Sequence, residues 1–167
     1  MPARQPLFPA SSVPWLATGG ALAALCIAWI AQYGFGLAPC ELCYWQRYGY
    51  WAAIALGILA ILQPARTARR TLALWLLGLA FLATAGIALF HVGVEQQWWK
   101  GLDTCTGQIG AGMSAEDFAN AIENAPIVRC DEPAWTLFGI SMAGYNLLYA
   151  LALAIFVFRG ALRSRAA

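Results

Sequence analysis

Charge is what this chain has least of. Only 11% of its 167 residues are charged, against about 25% in an average soluble domain, and the mean hydropathy is +0.62. Less than half the usual polar surface is available to face water. The net charge is only +2 and no Lys/Arg block lies beside stacking aromatics, which excludes the footprint of a nucleic-acid binder. No second composition regime appears, so residues 1–167 read as a single integral domain. A second closely spaced Cys or His pair, which would favour zinc beside Cys40 and Cys43, is also missing, and no metal is expected. Covalent haem attachment needs Cys-x-x-Cys-His, and Tyr44 stands in the last place.

Where charge is missing, the gaps have a consistent length. Pro14–Tyr33 has none, Tyr44–Leu62 has only Arg47, and Thr71–Phe90 and Trp135–Phe158 again have none. Each offers roughly the 20 apolar residues a helix needs to cross about 30 Å of hydrocarbon. A chain in lipid must also satisfy its own backbone hydrogen bonds. The sequence therefore predicts an all-α fold, a four-helix transmembrane bundle with helices over about 14–33, 44–62, 71–90 and 135–158. The first stretch follows Arg4 as a signal peptide would, but it is long for one and no small-x-small site leads into a soluble domain. It is read as a retained helix. Cys26, preceded by Leu25 rather than a small residue, reads as a packing residue and not a lipidation site.

The connections divide by charge. Arg66, Arg69 and Arg70 lie between the second and third spans, and Arg159, Arg163 and Arg165 follow the fourth, with Arg4 on the same side. The other side has a short loop, about 34–43, and a long one, about 91–134. The long loop carries Glu95, Asp103, Glu116, Asp117, Glu123, Asp131 and Glu132 against Lys100 and Arg129. By the positive-inside rule both termini are cytoplasmic and both loops face outward, with Trp98, Trp99 and Trp135 as an interfacial belt. Ser114-x-x-Asp117 resembles a capping box, and Phe118, Ile122 and Ala125 recur at helical spacing. These features predict a short amphipathic helix, lying on the membrane or packed on the bundle.

Four of the five cysteines fall in the outward loops: Cys40, Cys43, Cys105 and Cys130. An oxidising compartment permits two disulfides there. The nearest pairing is Cys40 with Cys43 and Cys105 with Cys130, and crossed partners fit the sequence too. A bridge between Cys105 and Cys130 closes a real loop and would stabilise it; one between Cys40 and Cys43 encloses two residues and would do little as a staple. A reactive role is favoured for that pair. Pro39 discourages helix before Cys40, so helix begins around Cys43 and its dipole lowers the thiol pKa. Arg47, four residues on, shares that face; it either holds a thiolate or anionic ligand, or snorkels to the interface. His91 reads equally as an interfacial polar residue or a ligand neighbour.

The stretches PCELCYWQRY (Pro39–Tyr48), ALFHVGVEQQWW at the exit of the third span, Asp-Thr-Cys at Cys105 and CDEPAWTLFGISMAGYNLL from Cys130 resemble those of the bacterial disulfide bond formation protein B (DsbB) family. The resemblance covers nearly the whole chain. It implies a quinone-coupled thiol oxidase of the bacterial inner membrane with periplasmic active loops. A periplasmic DsbA-like thioredoxin-fold partner would form a mixed disulfide at Cys105, and Cys130 would exchange with Cys40. Cys43 would pass electrons to ubiquinone, or menaquinone, from the membrane quinone pool. The resemblance also implies that Arg47 and His91 lie beside the quinone. That DsbA, DsbB and quinone keep the periplasm oxidising is general knowledge of the family. Two other readings remain. One is a vitamin K epoxide reductase-like quinone enzyme, disfavoured because Cys-x-x-Cys precedes the second span rather than following the third. The other is a non-enzymatic four-span protein with structural disulfides, although the adjacent cysteines of tetraspanins are absent.

Overall fold

The computed structural model describes residues 9–102 and 129–166. Among the described residues there are four long helices: α1 Val13–Trp29, α2 Glu41–Leu62, α3 Ala68–Glu95 and α4 Met142–Ala166. Val13–Gly34, Ala68–Glu95 and Met142–Ser164 are long and apolar enough to cross a membrane. Large apolar side chains such as Ile27, Leu59, Leu79 and Ile155 point outward, as a bilayer-facing surface requires. Cys105 and the amphipathic segment around Ser114–Ala125 lie outside the described residues.

The helix ends follow from local chemistry. Pro14 stands in the first turn of α1, where its missing N–H costs nothing. At its far end α1 widens into a π-helical segment, Ile30–Gly34. Thr67 caps α3 by accepting from the Arg70 N–H at 3.2 Å. The third helix thus runs beyond 71–90 at both ends, and His91 lies inside it. The fourth differs more from expectation. Residues 135–141 are not its first two turns but a small hairpin, with β1 Thr136–Leu137 pairing antiparallel to β2 Ile140–Ser141. Phe138 (φ 50°) and Gly139 (φ 77°) form the turn, the two positive φ values of a type I′ connection. Ser141 then accepts from the Gly144 N–H at 3.1 Å and opens α4. At the far end α4 continues through Arg159 and Arg163.

Small side chains set the helix spacing. Ala17, Ala21, Ala53, Ala60, Ala154 and Ala161 are all buried in the core with Phe81, Leu74, Leu77 and Val157, and such residues let helix backbones approach closely. Cys26 lies on the outer face of α1 rather than in this core. Gly57 is the tightest case on α2: a Cβ there would stand 2.0 Å from Thr18 Oγ1 and 3.2 Å from Thr18 Cβ. Thr18 has little freedom to yield, because it is β-branched and its hydroxyl donates to Pro14 O at 2.7 Å. Gly57→Ala is expected to destabilise the bundle by about 1–3 kcal/mol, the usual cost of overpacking. Gly19→Ala, with nothing within 4 Å, is the control: thermal unfolding in detergent should show a loss for the first and none for the second.

Contacts divide the bundle into two ends. At one, Arg70 donates to Ser11 O at 3.0 Å and Thr71 Oγ1 meets Ser164 Oγ at 3.3 Å, gathering the start of α1, the α2–α3 link and the tail of α4. At the other lie Cys40, His91, Cys130 and Ser141.

Candidate functional site

Cys40, directly after Pro39, is extended (φ −78°, ψ 172°) and is the N-cap of α2. Its Sγ accepts from the Cys43 N–H at 3.3 Å. Helix therefore begins two residues earlier than the sequence suggested, and the capping sulfur is that of Cys40 while Cys43 sits one turn in. The two Sγ atoms are 2.8 Å apart. Both lie ahead of the apolar run that starts at Tyr44. The Cys43 thiol is held below its ordinary value of 9.0, first because the Cys40 thiol donates to it, then by the Cys40 main chain and the Arg47 charge. These outweigh burial and the charge of Glu95. Cys40 moves the other way, raised by the same hydrogen bond, by burial and by repulsion from a Cys43 thiolate. In the reduced pair the thiolate is thus Cys43 and the proton stays on Cys40. Iodoacetamide is expected to label Cys43 ahead of Cys40, with a pH midpoint below 9.0 read by mass spectrometry; prior labelling of Cys40 would contradict this assignment.

Behind the thiols runs a chain of polar side chains. His91, 4% exposed, places Nε2 3.6 Å from Cys40 Sγ and 3.8 Å from Glu95 Oε1. Its Nδ1 is 3.0 Å from Gln46 Nε2. Gln46 Oε1 accepts from Asn146 Nδ2 at 2.5 Å, and Asn146 Oδ1 accepts from the Tyr50 hydroxyl at 2.5 Å. With its oxygen so occupied, Gln46 turns its NH₂ toward Nδ1, which assigns the histidine proton to Nε2, facing Cys40. Glu95 accepts from the Ser141 hydroxyl, tying the end of α3 to the start of α4.

Arg47 reaches across to the end of α1. Its Nη1 donates to Gln32 Oε1 at 2.6 Å and its Nη2 to Ala28 O at 3.2 Å, so it ties α2 to the end of α1. Such π-helical segments occur frequently at functional sites. The guanidinium also stands 5.5 Å from the centroid of the Tyr44 ring.

Cys130 is fully buried and packs with Cys40, Leu42 and Val94, with Cys43, Phe90 and Leu102 alongside. It is disulfide-bonded, and its main chain comes within hydrogen-bonding range of the His91 ring. Next to it Arg129 grips Asp131 through two bonds of 2.9 and 2.6 Å and holds that carboxyl below the usual range. The structure thus brings together Cys40, Cys43, His91 and Cys130, with Arg47 one turn below Cys43; Cys105 lies outside the described residues. An apolar cleft of about 330 Å³ opens between α2 and α3, lined by Leu42, Trp45, Gly86, Ile87 and Phe90 among others. Its α2 residues point away from the Cys43–Arg47 face, so it adjoins the site without opening onto either side chain.

The family model for disulfide bond formation protein DsbB matches residues 10–159. This chain belongs to the DsbB family. It is 33% identical over 135 residues to disulfide bond formation protein B 2 of Pseudomonas syringae pv. syringae (strain B728a), covering 77% of this chain and 75% of that one. To disulfide bond formation protein B of Acidovorax sp. (strain JS42) it is 30% identical over 161 residues, 83% and 85% of the two. To an uncharacterized protein of Rickettsia prowazekii (strain Madrid E) it is 32% identical over 136 residues, 80% and 77%. No solved structure matches. Membership of the DsbB family, with three helices of membrane-crossing length, makes this a membrane protein of disulfide bond formation and a disulfide-forming oxidoreductase.

The sequence reading made no site residue of Gln46, Tyr50, Glu95 or Asn146. The available signal was polarity inside apolar spans, where buried polar groups are costly and mark function by default. Gln46 and Asn146 are separated by 100 residues, so their pairing is a product of the fold.

Proposed function

We propose that this chain is an inner-membrane thiol oxidase that reoxidises a periplasmic, DsbA-like thioredoxin-fold disulfide donor and relays the electron pair to a membrane quinone. All four helices cross the bacterial inner membrane as one domain over 1–167. Both termini are cytoplasmic, with the Arg-rich end of the bundle, and the cysteine end is periplasmic. The observation that carries this reading is the burial of disulfide-bonded Cys130 against Cys40, beside the close Cys40–Cys43 pair.

A thiolate of the reduced partner attacks Cys105 of a Cys105–Cys130 disulfide, and Cys130 leaves as a thiolate. Cys130 attacks Cys40 of the oxidised Cys40–Cys43 pair, and Cys43 leaves with the electron pair. Its lowered pKa makes it the better leaving group, since low-pKa thiols leave faster. The partner's second thiol then closes its own disulfide and frees Cys105, which attacks Cys130, restores the loop bridge and releases Cys40. His91 Nε2–H faces the Cys40 sulfur and holds a proton for it. A membrane quinone, ubiquinone or menaquinone, supplies the two-electron acceptor when bound against Cys43. The surroundings fit such a ring: Cys43 is partly open, Tyr44 is exposed, and Arg47 keeps a permanent positive charge beside the thiolate.

The experiment is a trap. With Cys130→Ala the resolving thiol is gone, so a thioredoxin-fold partner should accumulate as a mixed disulfide on Cys105. That species should run as a reducible adduct of both masses, absent in Cys105→Ala. No adduct in the first variant, or an equal one in the second, would contradict the relay.

A further inference from the structure

Two thiols and a buried imidazole meet at the periplasmic end of α2 and α3. The ligand atoms of Cys40, Cys43 and His91 all lie within 4.8 Å of one another, in a largely buried position. We propose that the reduced Cys40–Cys43 pair and His91 form a chelating site for a thiophilic divalent cation of the zinc class, and that oxidation of the pair closes it. The sequence argued against zinc because no second close Cys or His pair accompanies Cys-x-x-Cys; the fold supplies the third ligand from a residue 51 positions away from Cys40.

The geometry is close to what the ion requires. With Zn–S near 2.3 Å and Zn–N near 2.0–2.1 Å, tetrahedral ligands stand about 3.8 Å apart for S···S and about 3.6 Å for S···N. Cys40 Sγ and His91 Nε2 are already 3.6 Å apart. The sulfurs, at 2.8 Å, must part by about 1 Å to reach the tetrahedral spacing, which a small rotation of the partly open Cys43 side chain provides. Three protein ligands leave a fourth position for solvent, as at open zinc sites.

The polar chain behind the histidine can serve this second use. To bind metal, Nε2 must offer its lone pair, so the proton moves to Nδ1 and needs an acceptor. Rotating the Gln46 amide by half a turn brings Oε1 to Nδ1. The same rotation of Asn146 keeps that pair bonded, with the Tyr50 hydroxyl now accepting. The rotation gives up the Gln46 Nε2 bond to Leu42 O and turns the Tyr50 proton away from Asn146, and in exchange an amide oxygen orients the ligating imidazole, as partners behind metal-bound histidines commonly do. Binding to this pair breaks the one remaining S–H bond, that of Cys40, and forms two metal–sulfur bonds and one metal–nitrogen bond. One proton leaves and nothing is oxidised. A Cys40–Cys43 disulfide has no thiolate to offer. Resting on the relay reading, a bound ion holds the pair reduced and stops its reoxidation by quinone.

The test uses the full-length chain in detergent without oxygen, with Cys26→Ala, Cys105→Ala and Cys130→Ala so that only the pair remains, and Co²⁺ then Zn²⁺ as probes. Reduced protein should take up one Co²⁺ with thiolate-to-cobalt charge-transfer bands and tetrahedral d–d bands, bleached by Zn²⁺. Oxidised protein should show neither. His91→Ala should weaken binding by more than about 100-fold, beyond the effect of losing a supporting group alone. No bands in the folded reduced chain, equal bands after oxidation, or unchanged affinity in His91→Ala would each overturn the site. Should the triple substitution unfold the protein, Cys40→Ala in the otherwise native chain replaces it and should lose the charge-transfer intensity. In the native chain, one equivalent of Zn²⁺ should stop quinone reduction, and undiminished turnover would overturn the block. If the metal-free chain reduces no quinone at all, the relay reading fails while the cobalt spectrum still decides the site.

Discussion

Cys43→Ala is expected to bring quinone reduction down to the uncatalysed rate while leaving the bundle folded. The substitution removes one sulfur at the first turn of α2, partly open to the surroundings, so its packing cost is about 1 kcal/mol, that of a buried methylene. It leaves the N-cap intact, because the Cys43 main-chain N–H still donates to Cys40 Sγ. What disappears is the low-pKa leaving group and donor of the electron pair. Cys130 can then only engage a Cys40 that has no disulfide partner, and the relay stops before the quinone. Circular dichroism and thermal unfolding check the fold, and anaerobic quinone absorbance checks the chemistry. Appreciable quinone reduction by folded Cys43→Ala would remove Cys43 from its assigned role.

Arg47→Ala should raise the KM for quinone roughly 10- to 100-fold and leave the KM for the thiol partner unchanged. A hydrogen bond to a charged group contributes about 1.5–3 kcal/mol, and each 1.4 kcal/mol is a factor of ten. On the proposed relay the partner engages Cys105, while Arg47 is clamped to Gln32 and Ala28. Arg47→Lys keeps the charge but cannot make the forked contact, since lysine carries a point charge on a flexible stem. It should fall between wild type and alanine. A rise in both KM values together would indicate a general loosening of α1 against α2 instead.

Much of this architecture is legible in the sequence because charge is so scarce. Each gap between charges holds a helix: α1 with its π-helical segment covers Pro14–Tyr33, and α2 and α3 lie where Tyr44–Leu62 and Thr71–Phe90 predict, extended by a few residues. The hairpin at 136–141 was hidden because Trp135–Ile140 is as apolar as the helix behind it. Only Gly139, at φ 77°, marked the turn. The Cys-x-x-Cys pair was legible as chemistry, but the division of labour was not. Cys40 becomes the cap because its extended backbone lets its sulfur accept from the Cys43 N–H, and that places Cys43 in the first turn on the side of Arg47. His91 carried no decisive local signal. Its meaning comes from facing Cys40 across α2 and α3 and from the Gln46–Asn146–Tyr50 row that fixes its proton.

The most direct measurement follows both ends of the relay at once. Purified protein in detergent, without oxygen, is mixed with ubiquinone and an excess of a reduced thioredoxin-fold dithiol, and partner oxidation and quinone reduction are recorded together. The account predicts one quinol formed for each partner disulfide, over many turnovers. Partner oxidation without quinol, or no turnover of either with both loop disulfides intact, would contradict it.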